Sequence, residues 1–226
     1  IGEAERYRYY WNPQWDAPET RPGWLGAENP QWPGDYHVAF ANPDWQGIIF
    51  GTPDSYLDRI IAAGFDGVYL DRVDAFQDVE QTVPGAEDAM LGFVSRLCDH
   101  ARRLNPQFLI VMQNAEELLR FGTLRQRLDG VAKEDLSFGH DNSTRDNPAD
   151  MVRESVQNLR KAKKAGISVL TLEYVTDPEQ ARTARRLAQS EGFRLHITER
   201  LLGRLSLEAP DTGAPPAAAA QSPKTP

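Results

Sequence analysis

Three stretches of the chain share one pattern: a polar run with apolar residues at helical spacing, a glycine, then a short apolar segment. They read YLDRIIAAG before FDGVYLD, VQNLRKAKKAG before ISVLTLEY, and TARRLAQSEG before FRLHIT. Gly64, Gly166 and Gly192 stand where a helix ends on a left-handed residue. A fourth unit, LCDHARRLNP before QFLIVMQN, uses Asn105 and Pro106 instead. The proline forces the residue before it out of helical geometry. Helices alternating with strands in this way predict βα units around a parallel sheet. The strands are rich in Val, Ile, Leu and Phe, as strands covered by helices should be.

The pattern places strands near 36–40, 66–71, 108–114, 129–134, 167–174 and 193–198, and the opening IGEAE reads as the end of another. From Glu208 onward the chain is mostly Ala and Pro without an aromatic residue, a composition that predicts disorder. The body over 1–207 is shorter than the roughly 250 residues of a complete barrel of eight βα units. The expected fold is therefore α/β: a (β/α)8 TIM-type barrel, N-terminally incomplete over 1–207, with a disordered tail over 208–226.

Alternation along each strand sorts its residues between two faces. Gly67, Tyr69 and Asp71 share one face, Gly130, Ala132 and Glu134 another, and so do Val169, Thr171 and Glu173. Ile110, Met112 and Asn114 do the same. Four strands thus end on a polar residue, three of them acids, although an unpartnered buried acid is costly. In a parallel barrel those ends form the rim that carries the chemistry. Asp71, Asn114, Glu134 and Glu173 are expected to converge there, joined by Glu3 if IGEAE ends a strand.

Composition narrows the ligand. The chain has 226 residues and a net charge of -8, which disfavours nucleic acid as the main partner. No stretch approaches the roughly 20 apolar residues of a membrane span. Cys98 falls on the apolar stripe of its helix with Met90, Val94, Leu97, Ala101 and Leu104 and reads as a core residue. All five tryptophans, Trp11, Trp15, Trp24, Trp32 and Trp45, lie in the first 45 residues, the first four of them in one long Pro- and Gly-rich connection. Long structured loops are usually functional. These rings either cap the core or grip a sugar face, with Trp11 and Trp15 the leading candidates for the second role. The four histidines show no metal spacing: His100 is expected exposed on its helix and His196 packed in its strand. Neither a Walker loop nor a GxGxxG motif occurs, and no metal or organic cofactor is expected. The polar loop GHDNSTRD after Glu134 is a weaker candidate for the same rim.

Five blocks, GEAERYRYYW, GFDGVYLDRVDAF, VMQNAEELL, LDGVAKEDLSFG and VLTLEYV, come in an order and spacing that resemble glycoside hydrolase family 114, the endo-α-1,4-polygalactosaminidases. The resemblance extends from residue 1 to about residue 200. It implies a TIM-type barrel and hydrolysis of α-1,4-linked galactosamine in a polysaccharide, in an extracellular or cell-envelope setting. It also implies a catalytic pair, here Asp71 as nucleophile or stabiliser and Glu134 as general acid/base. Glu3, Trp11, Trp15, Tyr69, Asp74, Asn114 and Glu173 would then bind the substrate. Two other readings stay open: a non-catalytic carbohydrate-binding barrel, and a barrel enzyme of different sugar chemistry.

Overall fold

The computed structural model describes residues 1–200 and Leu202; the Ala- and Pro-rich tail from Glu208 lies outside these. The elements in chain order are β1 (Glu3–Glu5), β2 (Leu25–Glu28), β3 (Asp35–Val38), α1 (Pro43–Ile49), α2 (Tyr56–Ala62) and β4 (Gly67–Leu70). They continue with α3 (Ala86–Leu104), β5 (Leu109–Gln113), α4 (Gly122–Arg125), β6 (Gly130–Glu134), α5 (Ala149–Lys164), β7 (Ser168–Glu173), α6 (Pro178–Glu191) and β8 (Arg194–Ile197).

Strands β4 to β8 form one parallel sheet in sequential order, as the alternating pattern predicts. Local chemistry sets the helix boundaries. Gly64, Gly166 and Gly192 adopt φ of 85°, 83° and 66°, and α3 stops at Leu104 before Asn105-Pro106. At the start of α6 the Asp177 carboxylate accepts the Glu179 N–H at 2.7 Å, with Pro178 in the first turn. These are the terminus signals expected of an isolated helix.

One side of the parallel sheet is the core. Leu70, Met112, Val131 and Val169 lie in register and are buried. Helix α3 covers part of this side with Met90, Phe93, Val94, Leu97, Cys98 and Ala101, all buried. Cys98 is thus a core residue, its thiol pushed up to about 12 by burial. Leu104, expected on the same stripe, is exposed in the last turn. The other side of the sheet is more open: Tyr69 and Leu109 are each about half exposed, and Arg194 and His196 are exposed. His196 is therefore not packed. Nor is His100 exposed: only 12% of its side chain is accessible, and its Nε2 lies 2.8 Å from an Asp58 oxygen.

The N-terminal part departs from the expectation. The segment read as a barrel strand near 36–40 is β3, and it pairs antiparallel with both β1 and β2 in a separate sheet of order β1-β3-β2. The cause is the connection. Only the turn between Glu28 and Asp35 joins β2 to β3, and a parallel crossover needs a dozen or more residues. The five-stranded sheet and the three-stranded one do not by themselves constitute the closed eight-stranded barrel. Gly2 holds the two sheets together closely, since a Cβ there would sit 2.3 Å from the Arg72 carbonyl oxygen. No helix among the described residues is long and apolar enough to cross a membrane.

Candidate active site

The C-terminal ends of the parallel strands carry the polar residues. Beyond β4 the chain turns sharply: Arg72 is left-handed at φ 55°, and its backbone N–H donates to Asp71 Oδ1 at 2.7 Å. Arg72 then gathers acids. Its Nε lies 3.3 Å from Glu3, its Nη1 lies 3.2 Å from Asp74, and its Nη2 bonds Asp78. Beyond β5, Asn114 is also left-handed at φ 53°, a conformation that asparagine tolerates better than most residues. Its Oδ1 accepts the Glu134 N–H at 3.1 Å. Its Nδ2 faces Glu134 Oε2 and Asp74 Oδ2, each at 3.5 Å.

Two depressions border these residues, one running along the edge strand β4 up to Arg72 and the other at the rim. One, of about 410 Å³, is lined by Glu3, Asp35, Tyr69, Asp71 and Arg72 over an apolar floor that includes Val68 and Leu70. The other, of about 560 Å³, is lined by Asp74, Asn114, Glu116, Glu134, Asp135 and His140 among others. Arg72 in the first bonds Asp74 in the second. Tyr69 lies within the fields of both expected catalytic acids: its phenol is pushed up by burial, and further by Glu134 and Asp71. Burial also raises Asp74, against the lowering effect of Arg72, and raises Asp35 to about 6 with help from Glu5 and Glu3.

The sheet register sorts the expected residues. Tyr69 pairs with Val111, Val111 with Gly130, and Glu134 with Leu172, so Tyr69, Asp71 and Glu134 share the open face. Glu3 joins them from β1: it is buried, and the Asn29 amide donates to it at 2.8 Å. Glu173 does not converge with them. It pairs with Ile197, one residue out of step with Glu134, and points to the core side, where it is 1% exposed. There it accepts the Ser137 N–H at 2.8 Å, and burial pushes its carboxyl up to about 7. A shift of one position moves a side chain to the opposite face.

The tryptophans pack on one another. Trp11 meets Trp15 edge-on at 5.4 Å, Trp15 meets Trp24 at 5.1 Å, and Trp24 meets the fully buried Trp45 at 5.1 Å. Neither Trp11 nor Trp15 lines either depression. This connection still shapes the rim, because Gln31 Oε1 accepts from Asn142 Nδ2 at 3.4 Å in the loop after β6. That loop, GHDNSTRD, contributes His140 to the larger depression.

Sequence reasoning passed over Tyr174 and Arg200. The Tyr174 hydroxyl donates to Glu134 Oε1. Arg200 stacks over the Tyr174 ring at 4.6 Å and pairs bidentately with Asp135 at 2.9 and 3.0 Å. The signal for Tyr174 lay in the alternation of VLTLEY, one step past the acid. Among the described residues no group of three or more His, Cys, Asp or Glu is arranged to hold a metal ion.

The chain matches the model of glycoside-hydrolase family GH114 over residues 1–210. It is 38% identical over 210 residues to an uncharacterized protein of Deinococcus radiodurans, covering 93% of this chain and 65% of that protein. It is 38% identical to an uncharacterized protein of Methanocaldococcus jannaschii, covering 85% and 55% of the two chains. For an uncharacterized protein of Thermotoga maritima the identity is 36%, covering 78% and 54%. The chain thus spans just over half to about two thirds of the length of these relatives. Its fold resembles the glycoside hydrolase domain of PelA from Pseudomonas aeruginosa, with a TM-score of 0.63 and 21% identity over 90% of this chain and 77% of that one. A variant of that domain aligns with a TM-score of 0.61 and 21% identity, over 91% and 78% of the two chains.

Proposed function

The chain belongs to glycoside-hydrolase family GH114, and on that premise we propose that it hydrolyses the glycosidic bonds of a hexosamine polysaccharide, with Asp71 and Glu134 as the reacting carboxyl groups. The observation that carries the reading is the placement of Tyr69. It sits in register with Val111 and, through it, with Gly130 at the start of the strand that ends on Glu134, so alternation assigns Asp71 and Glu134 to its face of the sheet.

Glycoside cleavage needs one carboxyl group to protonate the leaving oxygen and a second to act as nucleophile or base. Asp71 attacks the anomeric carbon while Glu134 passes its proton to the glycosidic oxygen. The bond breaks and leaves a glycosyl ester on Asp71. Glu134, now ionised, takes a proton from water, whose oxygen displaces Asp71 and regenerates both groups. This is the retaining course, for which the two carboxyl groups stand about 5–5.5 Å apart.

The substrate class follows from charge. Asp74, Glu116, Glu117, Glu134 and Asp135 line the larger depression, against Lys133 as its single lysine. Such a surface favours a cationic polymer, and α-1,4-linked galactosamine with free amino groups has that character. Glu3, Tyr69, Asp74 and Asn114 would contact sugar hydroxyls and amines. The five-stranded sheet is then part of a (β/α)8 barrel, working at an extracellular or cell-envelope location. Against the binding-only reading, Trp11 and Trp15 pack edge-on on their neighbours and line neither depression. Release of reducing ends from an α-1,4-galactosamine polymer, and not from its fully N-acetylated form, supports the proposal. Equal rates on both would remove the charge argument, and no release from any hexosamine polymer would remove the reading itself.

A further inference from the structure

Glu134 has two carboxylate oxygens in different circumstances. Oε1 accepts a hydrogen bond from the Tyr174 hydroxyl. Oε2 has only the Asn114 amide at 3.5 Å, at the outer limit of a hydrogen bond. One oxygen is tied and the other is uncommitted. We propose that Tyr174 is a positioning residue for Glu134: it fixes Oε1 and thereby leaves Oε2 as the oxygen that exchanges the proton with the glycosidic bond and with water. This rests on the reading of Glu134 as general acid/base.

The backbone makes the pairing systematic. Leu172 is the register partner of Glu134, so alternation brings Tyr174, not Glu173, back to the face of Glu134 just beyond the end of β7. A tyrosine placed there reaches across to the neighbouring strand end. Arg200 keeps the ring in place from the far side, lying 4.6 Å from its centroid while both of its terminal nitrogens are held by Asp135. From the β5 side, Asn114 Oδ1 holds the Glu134 backbone N–H at 3.1 Å. Glu134 is therefore held from two neighbouring strands, its carboxyl from beyond β7 and its backbone N–H from beyond β5.

The phenol is suited to donate. Burial raises it first, and the Glu134 carboxylate beside it raises it further, so the hydroxyl keeps its proton. The charged and titratable groups around Glu134 include Tyr69 from β4, Asp74 beyond β4, Glu116 and Glu117 beyond β5, Lys133 and Asp135 on either side of it, His140 in the loop after β6, Tyr174 beyond β7 and Arg200 beyond β8, with Asp71 the proposed partner on the same face. Of these, Tyr174 is the one whose hydrogen bond to the carboxylate is formed in the structure. Orientation of an acid within a fraction of an ångström decides how well it delivers a proton, and a side-chain hydrogen bond of this kind supplies it.

The test is Tyr174→Phe, which keeps the ring and its stacking on Arg200 and removes only the hydroxyl, compared with Glu134→Gln on an α-1,4-galactosamine polymer. The expected result is a kcat lower by about tenfold or more, a KM within about twofold of the parent and an unchanged thermal midpoint, while Glu134→Gln is inactive. If Tyr174→Phe turns over like the parent, or raises KM alone, while Glu134→Gln is dead, the positioning role is overturned and the reading of Glu134 stands. If Glu134→Gln turns over like the parent, both fall. Should Tyr174→Phe also lose stability, kcat and KM read well below its midpoint separate the two effects: a loss in kcat that persists there supports the role, and its disappearance overturns it.

Discussion

Asn114 meets Glu134 through both ends of its amide: Oδ1 accepts the Glu134 backbone N–H at 3.1 Å, and Nδ2 faces Glu134 Oε2 at 3.5 Å. The same Nδ2 faces Asp74 Oδ2 at 3.5 Å, so one neutral side chain separates two acids that would otherwise repel. Because Asn114 is left-handed, Asn114→Gly keeps the backbone relaxed and removes the amide. Its stability is expected within about 1 kcal/mol of the parent, with a marked fall in kcat. Asn114→Ala should lose activity to the same extent and about 1 kcal/mol more stability, because a Cβ is strained in that region. Urea unfolding and turnover, measured on both variants, check the separation.

Arg72 is the shared cation of Glu3, Asp74 and Asp78. Arg72→Ala leaves a buried Glu3 and a half-buried Asp74 without it, and is expected to cost about 2–4 kcal/mol, because breaking a largely buried ion pair strands its partner. Arg72→Lys should restore only part of this, since an ammonium cannot span three carboxylates in a plane. Denaturant midpoints of the two variants decide it; equal stability of Arg72→Ala and parent would show that the acids shed their charge without cost.

Trp15 touches Trp11 and Trp24 edge-on, and Trp24 is buried. Trp15→Ala should therefore lower stability by about 2 kcal/mol, less than a fully buried tryptophan would cost because the ring is only partly buried against the core. Polymer affinity should change little. A thermal melt alongside a binding isotherm tests this; weakened binding with an intact melt would return Trp15 to the sugar-gripping role.

Glu173 makes stability depend on pH. Its carboxyl sits at about 7 in the folded chain, against an ordinary value of 4.5. Between those values the folded state keeps its proton while the unfolded state has lost it, so stability falls as pH rises from about 4.5 to about 7 and levels off above. Asp35, raised to about 6, adds in the same direction. Glu173→Gln removes the Glu173 part and retains an acceptor for the Ser137 N–H. Its advantage over the parent should be absent near pH 4, grow to about 3 kcal/mol by pH 7.5, and appear as a diverging pair of thermal midpoints. A constant difference across that range would refute the burial penalty.

The parallel half of the fold is readable because its signals are local. Gly64, Gly166 and Gly192 end helices by a conformation that glycine adopts freely, and Asn105-Pro106 ends another by steric exclusion. The face of a strand is less readable. β7 is apolar on both sides, with Val169 on the core side and Leu170 and Leu172 on the other, so periodicity alone does not say which face Glu173 shares. Pairing with β6 decides that, and it selects Tyr174 for the rim. The antiparallel sheet was hidden for a similar reason: three- and four-residue strands such as β1 and β2 carry too few positions for a pattern. The tryptophans read equally as core or platform, because composition alone does not distinguish a ring packed on its neighbours from one open to a ligand.

The central claim is that Asp71 and Glu134 break a glycosidic bond between them. The most direct measurement uses Glu134→Gln with a 2-amino-galactoside bearing an activated leaving group, which departs without acid assistance, followed by peptide mass analysis. The expected result is one added hexosamine mass on the peptide that contains Asp71, because the glycosyl ester forms and the water that would release it lacks its base. An adduct on a different carboxylate, or steady release of product with inverted configuration and no adduct, would contradict it.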